Sequence, residues 1–568
     1  MLQRSIRSTR RKNIVSLIVV LAAILLINFI VQSFYFRIDL TSDKRYSVAD
    51  ISKKIMNDLD DIVFVRVYLG GEMPVTMKKF QRSIREKLEE LANYSGGNLQ
   101  FQFRNPAEGT EQERNAVYAE LSKKGITPII IQENDIEGGS IQRLIFPGAI
   151  INYRGKEVSV DLVQQNPRYS VEENLNFAQQ NLEYNLSNVI FQISRVEKPR
   201  IAFIEGHGEL KDIELDIMYE LGEFYDVGRA VLNGSVGIVD DCRAVIIAKP
   251  MQKWSEEDKL VIDQYIMNGG RVAWFIDAVH IREDSLAHGD LTLGTVAEHN
   301  LDDQLFHYGV RVNSNVIQDL QCASLPINFA PGGMPPDFRP VPWPYFPLLI
   351  PPNSSPITKG LNLIRSQYPG VIDTVGMSDK VKKAFLLYSS EYSRVFNAPI
   401  MVRLAEIEEK YSQKDFNQSH LPVAASLEGV FSSPFRNRMV SQYNHGEAFD
   451  FKAQSKETKM VIVSDGDVIR NDVVSRGGRM TPYSLGIDKY TGQTYGNKEF
   501  VKNIINYLAD DDELIEIRNY DYILRLLDKS KIAQYHTSII LINTVLPILL
   551  VLLAGIVFIW WRKRKYTK

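Results

Sequence analysis

Two long apolar runs, one near each end of the chain, constrain this sequence more than any other feature. Residues 14–36 are 23 residues without a charge, and residues 538–561 are 24 more that end in Trp560-Trp561. At ~1.5 Å of rise per residue, each run makes a helix of about 34 Å or more, which is enough to cross a bilayer core of ~30 Å. Both runs are therefore predicted to be transmembrane helices.

A cleaved signal peptide is the alternative for the first run. Val31-Gln32-Ser33 resembles a small-residue cleavage site. The apolar stretch before it is longer than the usual hydrophobic region of ~7–15 residues in a signal peptide, so we expect an uncleaved anchor.

Charge is divided between the ends and the middle of the chain. Residues 1–13 and residues 562–568 hold five basic residues each and no acid. These ten belong to a total of 66 Lys and Arg, so the remaining 56 face all 69 Asp and Glu, a charge of −13 within a net −3. Basic flanks stay in the cytoplasm, which predicts a protein of the bacterial inner membrane with both termini cytoplasmic and a periplasmic ectodomain. An acidic body argues against nucleic-acid binding.

The ectodomain is predicted to be α/β, in two domains. Residues 37–196 alternate strands and helices in the order βαβαββ, typical of a thioredoxin-like layout, and residues 170–196 are predicted to be a helical connector. The absence of Cys-x-x-Cys excludes redox chemistry. Residues 197–325 contain apolar strands that alternate with helices, which indicates a parallel, Rossmann-like sheet covered on both faces. Residues 357–514 are expected to complete that layer, and residues 515–537 to form a juxtamembrane helix.

Residues 326–356 differ sharply in composition from the rest of the ectodomain. They hold 11 of the 24 prolines, interleaved with aromatic residues that include Trp343, Tyr345 and Phe346. One interpretation is an extended segment anchored on the domain by its aromatic rings. The other is a groove for a partner or ligand, because polyproline segments with aromatics are common recognition surfaces.

Two short motifs are candidate ligand sites, since each follows an apolar strand, where open α/β sheets bind their ligands. In Glu205-Gly206-His207-Gly208-Glu209, two acids flank a histidine, but the spacing matches no zinc motif and a helix-capping turn is the simpler interpretation. In Ser464-Asp465-Gly466-Asp467, two carboxylates could hold a divalent ion with help from Asp472. The EF-hand pattern fails at Ile469, which favours a tight turn.

Missing motifs argue against catalysis. The chain has no P-loop sequence and no Gly-x-Ser-x-Gly or Gly-x-Cys-x-Gly elbow. Its two cysteines, Cys242 and Cys322, are too few for a Cys-based zinc site, and their spacing leaves open whether they pair. We expect a non-enzymatic protein without cofactor or metal.

Six segments in one order resemble the auxiliary, so-called substrate-binding component of the gliding-motility-associated ABC transporter of Bacteroidetes (GldG-like). They are residues 37–47, 201–209, 306–311, 343–347, 464–471 and 496–500. The resemblance implies a complex with a separate ATPase subunit and a multi-span permease. It also implies that the middle region is similar to a domain shared with intraflagellar-transport proteins, itself similar to class I glutamine amidotransferases but without their cysteine nucleophile.

These observations predict a non-catalytic subunit, anchored in the membrane, whose ectodomain docks on the permease or on an envelope partner. The first alternative is a glycan- or peptide-binding receptor that uses the Glu205–Glu209 turn or the proline-rich segment. The second is a metal-dependent hydrolase that uses Asp465 and Asp467.

Overall fold

The computed structural model describes residues 15–24, 26, 48–134, 140–211, 214–283, 285–286, 290–330, 334–335, 337–376, 380–408, 411–440, 443, 449–476, 479–510, 514–519 and 529–566. The chain forms two compact units, one of residues 1–40 with 46–520 and one of residues 41–45 with 521–568. The fold is mixed α/β.

The first part of the large unit is a four-stranded sheet of order β2-β1-β5-β6, in which β1 is parallel to β2 and antiparallel to β5. Helix α3 covers it with Phe80, Ile84 and Leu88, whose spacing of four places them on one buried face. The elements are α2 (Asp50–Asn57), β1 (Val63–Val67), α3 (Val75–Tyr94), β2 (Leu99–Phe103), α4 (Glu111–Lys123), β3 (Ile129–Asn134), β4 (Ser140–Ile145), β5 (Gly148–Tyr153), β6 (Lys156–Asp161) and α5 (Val171–Ser194).

Helix α5 is more than the connector predicted for residues 170–196. It begins at a capping box formed by Ser170 and Glu173, and it buries Leu182, Leu186 and Ile190 in the same core as α3. The predicted order βαβαββ is also corrected after its second helix, where the structure has four strands rather than two: β3 and β4 form a separate hairpin, and β5 and β6 join the sheet.

The second part is a seven-stranded sheet whose strands lie in the order β19 (Val381–Tyr388), β22 (Pro422–Gly429), β23 (Thr458–Val463), β10 (Arg271–Phe275), β9 (Ala244–Ala248), β7 (Arg200–Glu205) and β8 (Asp226–Val231). Strands β7 to β10 and β23 are parallel, β22 pairs antiparallel with β23, and β19 pairs antiparallel with β22. All five residues of β9 are buried, as expected for a central strand covered on both faces. Strands β19, β22 and β23, from residues 381–463, thus lie in the same sheet as strands β7 to β10, from residues 200–275.

The sheet reverses its winding at β7, since β8 lies on one side of β7 and β9 on the other. Ligand sites of open α/β sheets lie at such a point, outside the carboxyl ends of the strands. The elements are β7 (Arg200–Glu205), α6 (Leu215–Gly222), β8 (Asp226–Val231), β9 (Ala244–Ala248), α7 (Glu256–Met267), β10 (Arg271–Phe275), β19 (Val381–Tyr388), β22 (Pro422–Gly429), β23 (Thr458–Val463) and α9 (Asn497–Ala509).

Further elements of the large unit are small two- and three-stranded sheets and one short helix. They are built from β11 (Val279–His280), β12 (Leu291–Val296), α8 (Asp302–Tyr308), β13 (Val310–Val312), β14 (Asn315–Asp319), β15 (Cys322–Asn328), β16 (Phe338–Leu349), β17 (Ile364–Arg365), β18 (Ile372–Thr374), β20 (Ser393–Asn397), β21 (Ile400–Arg403), β24 (Val473–Arg476) and β25 (Arg479–Pro482).

The proline-rich segment forms the twelve-residue strand β16, which pairs with β15. Its first half is largely exposed, while Trp343, Tyr345 and Phe346 in its second half are at most 2% exposed. Tyr345 and Phe346 both pack on the ring of Tyr368, at centroid distances of 5.8 and 5.4 Å. The burial of these three aromatic side chains favours the interpretation that they anchor the segment on the domain over the interpretation that they line a partner groove.

The small unit contains helix α10 (Lys529–Tyr566), which includes the second predicted span. The helix Tyr535–Lys565 contains an 18-residue stretch with a mean hydropathy of 2.7, and it is the one helix within the described residues that is long and apolar enough to cross a membrane. The first predicted span is described as helix α1 (Val15–Ile24), and most of its remainder lies outside the described residues.

The juxtamembrane helix predicted at residues 515–537 is corrected at its start. Leu514–Asn519 is a 3₁₀ turn in the large unit, where Leu514, Ile515 and Ile517 are buried in the main core. Residues 520–528 lie outside the described part of the chain.

Candidate functional site

The candidate site lies at the carboxyl edge of the seven-stranded sheet, where four neighbouring strands end in charged residues. Strand β7 leads into the His207 turn, β9 into Lys249, β10 into Asp277, and β23 into Asp465 and Asp467. The first and last of these segments carry motifs that are recognisable in the sequence. Lys249 and Asp277 carry no such motif, and their only sequence signal is that each follows an apolar strand.

Lys249 is the centre of this edge. Its Nζ lies 3.1 Å from Asp277 Oδ2 and also forms an ion pair with Asp467 Oδ2. Burial favours the neutral amine, but the charges of Asp277 and Asp467 outweigh that effect and raise the pKa of Lys249 above its ordinary value. The side chain is therefore held as a buried ammonium.

The backbone at Lys249 is left-handed, with φ of 54°, which is unusual for a residue other than glycine. Gly466 packs flat against it, and a Cβ at Gly466 would lie 2.5 Å from Lys249 Cβ. The close approach therefore requires glycine between the two aspartates of β23's turn.

The pKa values of the two aspartates of this turn are shifted in opposite directions. Burial, together with the nearby charges of Asp467 and Asp277, raises the pKa of Asp465 well above its usual range, although Asp465 accepts hydrogen bonds from the backbone N–H groups of Gln367 and Asp467, each at 2.7 Å. Burial opposes the charge of Asp467 as well, but Lys249 and Arg470 outweigh it and lower its pKa. Asp467 is therefore the carboxylate that the two cations stabilise.

Carboxylate oxygens of Asp277, Asp465 and Asp467 lie within 4.8 Å of one another, a spacing that could hold a divalent cation. The Lys249 ammonium already bridges two of them, however, and a metal ion at that point would displace it. Asp472, the further ligand considered from sequence, instead pairs with Arg365 at 2.8 Å. The arrangement favours an internal ion-pair network over a metal centre.

His207 is a buried structural link. It is 5% exposed and stacks on Trp254, with ring centroids 4.0 Å apart. Its Nδ1 lies 3.1 Å from Glu209 Oε1 and its Nε2 lies 3.0 Å from Asp258 Oδ2, in the first turn of α7. The turn therefore ties the end of β7 to the start of α7, while Glu205 pairs separately with Arg229.

The charge of His207 predicts a dependence of stability on pH. Burial opposes protonation, but the hydrogen bonds with Asp258 and Glu209 outweigh it and raise the pKa to about 9 from 6.5. The resulting stabilisation is complete below pH 6.5 and is lost as pH rises through about 9. At ~1.36 kcal/mol per pKa unit, the free energy of unfolding should fall by about 3 kcal/mol over this range.

This dependence is measured by denaturant unfolding of the full-length protein between pH 6 and pH 10. The His207→Gln variant, which cannot titrate at this position, should lack that part of the pH dependence. Identical pH profiles for the variant and the parent would contradict the assignment.

Neither cysteine provides a nucleophile at this edge. Cys242 and Cys322 are both free, which settles the pairing question left open by the sequence. Burial raises the pKa of Cys242 to about 11 and that of Cys322 to about 12, so both thiols are protonated at neutral pH. Cys242 precedes β9 and thus lies toward the opposite edge of the sheet.

Comparison with known proteins identifies the family. Residues 198–504, more than half of the chain, match the auxiliary family described as an ABC-type uncharacterized transport system. The chain belongs to this family. It is therefore an auxiliary component of an ABC-type transport system, which implies association with transporter subunits. Residues 42–152 of this auxiliary component also match a domain of unknown function.

The auxiliary component has a relative of similar length. An uncharacterized protein of Borreliella burgdorferi (strain ATCC 35210 / DSM 4680 / CIP 102532 / B31) is 20% identical over 576 residues, which cover 98% of this chain and 99% of that protein.

Two solved structures show weaker likeness. The mmIFT52 N-terminal domain is 10% identical, with a TM-score of 0.30, over 55% of this chain and 98% of that chain. An exo-beta-1,4-mannosidase, Op5Man5 from Opitutaceae bacterium strain TAV5, is 9% identical, with a TM-score of 0.17, over 69% of this chain and 46% of that one. Neither likeness bears on the function of the auxiliary component.

Proposed function

We propose that this auxiliary component is a non-catalytic subunit, anchored in the bacterial inner membrane, whose periplasmic ectodomain docks on the permease of its transport system. A separate ATPase subunit supplies the energy, since the chain has no P-loop. The similarity of its six sequence segments to the gliding-motility-associated component supports a role in gliding and the associated secretion.

The observation that carries the non-catalytic part of the proposal is the state of Lys249. It occupies a left-handed turn at the carboxyl end of a central strand, the kind of strained turn that presents a nucleophile in α/β hydrolases. Here the side chain is an ammonium tied to two aspartates, and an ammonium has no lone pair with which to attack. The edge is occupied by a structural ion-pair network.

The topology rests on charge and hydropathy. A membrane-length helix, Tyr535–Lys565, ends in basic residues, and the first apolar run is preceded by five more. Two spans with both ends in the cytoplasm follow from the positive-inside rule. The sheet order β2-β1-β5-β6 supports a thioredoxin-like N-terminal domain, and the seven-stranded sheet supports an amidotransferase-like second domain.

The receptor alternative is less well supported, because most of the residues first considered for ligand binding are buried. They are His207, Glu209, Trp343, Tyr345 and Phe346. The hydrolase alternative needs an accessible carboxylate, and the carboxylate of Asp467 is already ion-paired with Lys249.

Co-purification of the tagged full-length chain from native membranes tests the proposal. A multi-span permease and a separate ATPase subunit should elute with it, and a chain that elutes alone would show the proposal to be wrong. Asn543 lies within α10, where lipid offers its amide no partner, so Asn543→Leu should reduce recovery of the permease while leaving membrane anchoring unchanged. Ile542→Leu, an apolar exchange at the adjacent position, is the matched control and should not change recovery.

A further inference from the structure

The first half of helix α3 presents a basic surface on an acidic body. Between its two basic tips the chain carries a charge of −13. Four exposed cations of the helix, three or four residues apart, lie on the side away from the core, and together we call them the α3 basic face: Lys78, Lys79, Arg82 and Arg85. The first acid of the helix, Glu86, follows all four. The surface is thus a local reversal of the charge of the ectodomain.

The cations of the α3 basic face are not neutralised by the domain itself. Within the described residues none of the four forms an ion pair, and Arg85 Cζ instead lies 4.3 Å from the ring centroid of Phe103. Lys87, the next base of the helix, shows the contrast, since its Nζ lies 2.9 Å from Glu90 Oε2 and 3.1 Å from Glu183 Oε2. The four charges are therefore available to a partner of opposite charge.

The stability of the helix does not explain where these bases lie. The helix dipole favours acids near the start of a helix and bases near its end. Helix α3 has no acid in its first turn and no base in its last, and no side chain caps its start at Val75. A local rule that is broken without a compensating contact is expected at a functional surface.

The connection to the first predicted span keeps this surface within reach of the membrane. That span ends at residue 36, and the described part of the domain begins at Val48, so only residues 37–47 join them. At ~3.3–3.6 Å per residue, this segment extends to about 40 Å at most. The backbone N–H of Ala49 donates to Glu183 Oε1 at 2.7 Å, and the same carboxylate pairs with Lys87. The chain therefore enters the domain beside α3.

A layer of lipid headgroups matches this surface better than a protein groove does. Protein interfaces gain most of their affinity from buried aromatic and apolar anchors. In α3, which is described over its whole length, Val75 is the only large apolar side chain in the exposed class, at 70%. Anionic headgroups need charge but no complementary shape. Each Lys or Arg near such a surface favours the contact about 5-fold, over distances up to a Debye length of ~8–10 Å.

From these observations we infer that the α3 basic face binds the anionic headgroups of the membrane in which the chain is anchored, and so holds the N-terminal domain against the bilayer. The inference rests on the membrane anchoring of the proposed function but requires neither the permease nor the ATPase. A domain held in this way has less rotational freedom to lose when the ectodomain docks on the permease.

Fluorescence quenching of the full-length protein in lipid nanodiscs tests the inference. Val75→Cys, at the exposed start of the same helix, carries the fluorophore, and nitroxides on the lipid headgroups quench it on contact. Burial raises the pKa of Cys242 to about 11 and that of Cys322 to about 12, so the native thiols react little at neutral pH. The parent chain, taken through the same labelling, corrects for any remaining reaction.

The lipid composition and the salt concentration decide whether the contact is electrostatic. Quenching should be strong in discs that contain phosphatidylglycerol and weak in discs of phosphatidylcholine alone. It should also fall as NaCl is raised to about 1 M, where the Debye length is only ~3 Å. These two comparisons use the same labelled chain and depend on no further variant.

Charge-neutralising variants locate the contact. Exchanging all four bases of the α3 basic face for glutamine should lower the ratio of docked to free domain at least about 10-fold in phosphatidylglycerol discs. The matched control exchanges two arginines and two lysines that are exposed elsewhere in the large unit and should leave quenching unchanged: Arg311→Gln, Lys382→Gln, Lys414→Gln and Arg436→Gln. Thermal unfolding of both variants verifies that they are folded.

Three results would overturn the inference: equal quenching in the two lipid compositions, equal quenching in the parent and the four-base variant, or no quenching in the parent together with loss of the permease from the four-base variant. The last result would make the face a protein-docking surface. A four-base variant that loses headgroup contact but still co-purifies with the permease would leave both proposals standing. A parent that contacts lipid but elutes alone would reject docking on the permease only.

Discussion

Replacing Lys249 with methionine is expected to destabilise the large α/β domain by about 3–5 kcal/mol, because it removes one partner of a buried ion pair. The side chains of Lys249 and Asp467 are 14% and 5% exposed, so water cannot take over the role of the ammonium. Asp467 would remain ionised and uncompensated, or would have to take up a proton. Denaturant unfolding of the full-length protein, followed by the fluorescence of buried Trp274 and Trp343, measures the effect.

Lys53→Met is the matched control for this prediction. Lys53 forms a comparable contact with Asp50 at 2.7 Å, but Asp50 is 98% exposed. Pairs of this kind contribute at most about 1 kcal/mol. Equal losses of stability in the two lysine variants would show that the Lys249 network does not hold the carboxyl edge together. Adding Asp467→Asn to Lys249→Met should recover part of the loss, since the uncompensated charge is then removed.

Replacing Trp343 with alanine is expected to cost about 3–5 kcal/mol of stability, because it empties a large volume in the hydrophobic core that also contains Ile247 and Trp274. The indole is 0% exposed and packs 5.1 Å from the ring of Tyr345. Phe338→Ala in the same strand is the control, since Phe338 is 59% exposed and its removal should change stability by no more than about 0.5 kcal/mol. The two variants therefore differ mainly in burial.

This pair also separates the two interpretations of the proline-rich segment. If Trp343→Ala left stability unchanged but lost co-purifying partners, the segment would be a recognition surface after all. A large loss of stability in Trp343→Ala, with normal partner recovery in Phe338→Ala, would instead place Trp343 in the core, as its burial indicates.

Local sequence signals predicted most of the elements. Residues 197–325 are predicted to alternate apolar strands with helices, and their first six elements are β7, α6, β8, β9, α7 and β10. Such elements are determined by short-range features: apolar periodicity, glycine after a helix, and continuous apolar runs for strands buried on both faces. The same features could not separate β4 from β5, because only Phe146 and Pro147 lie between the two strands.

The candidate site could be predicted only in part. Two of the strand ends that form it carried a recognisable motif, Glu205–Glu209 and Asp465-Gly466-Asp467. Lys249 carried none, because a single lysine after an apolar strand is common. Its importance comes from Asp467, which lies 218 residues away along the chain.

The sequence by itself determined that this is an acidic α/β protein with apolar runs near both ends and without the motifs of ATP hydrolysis. Composition, charge and periodicity are properties of the chain and need no knowledge of contacts. The tertiary structure alone decided that Lys249 forms ion pairs with aspartates that follow two other strands, and that Trp343 is core rather than surface. These outcomes depend on the order in which parallel strands pair, and strand order is set by the packing of distant segments rather than by any local pattern.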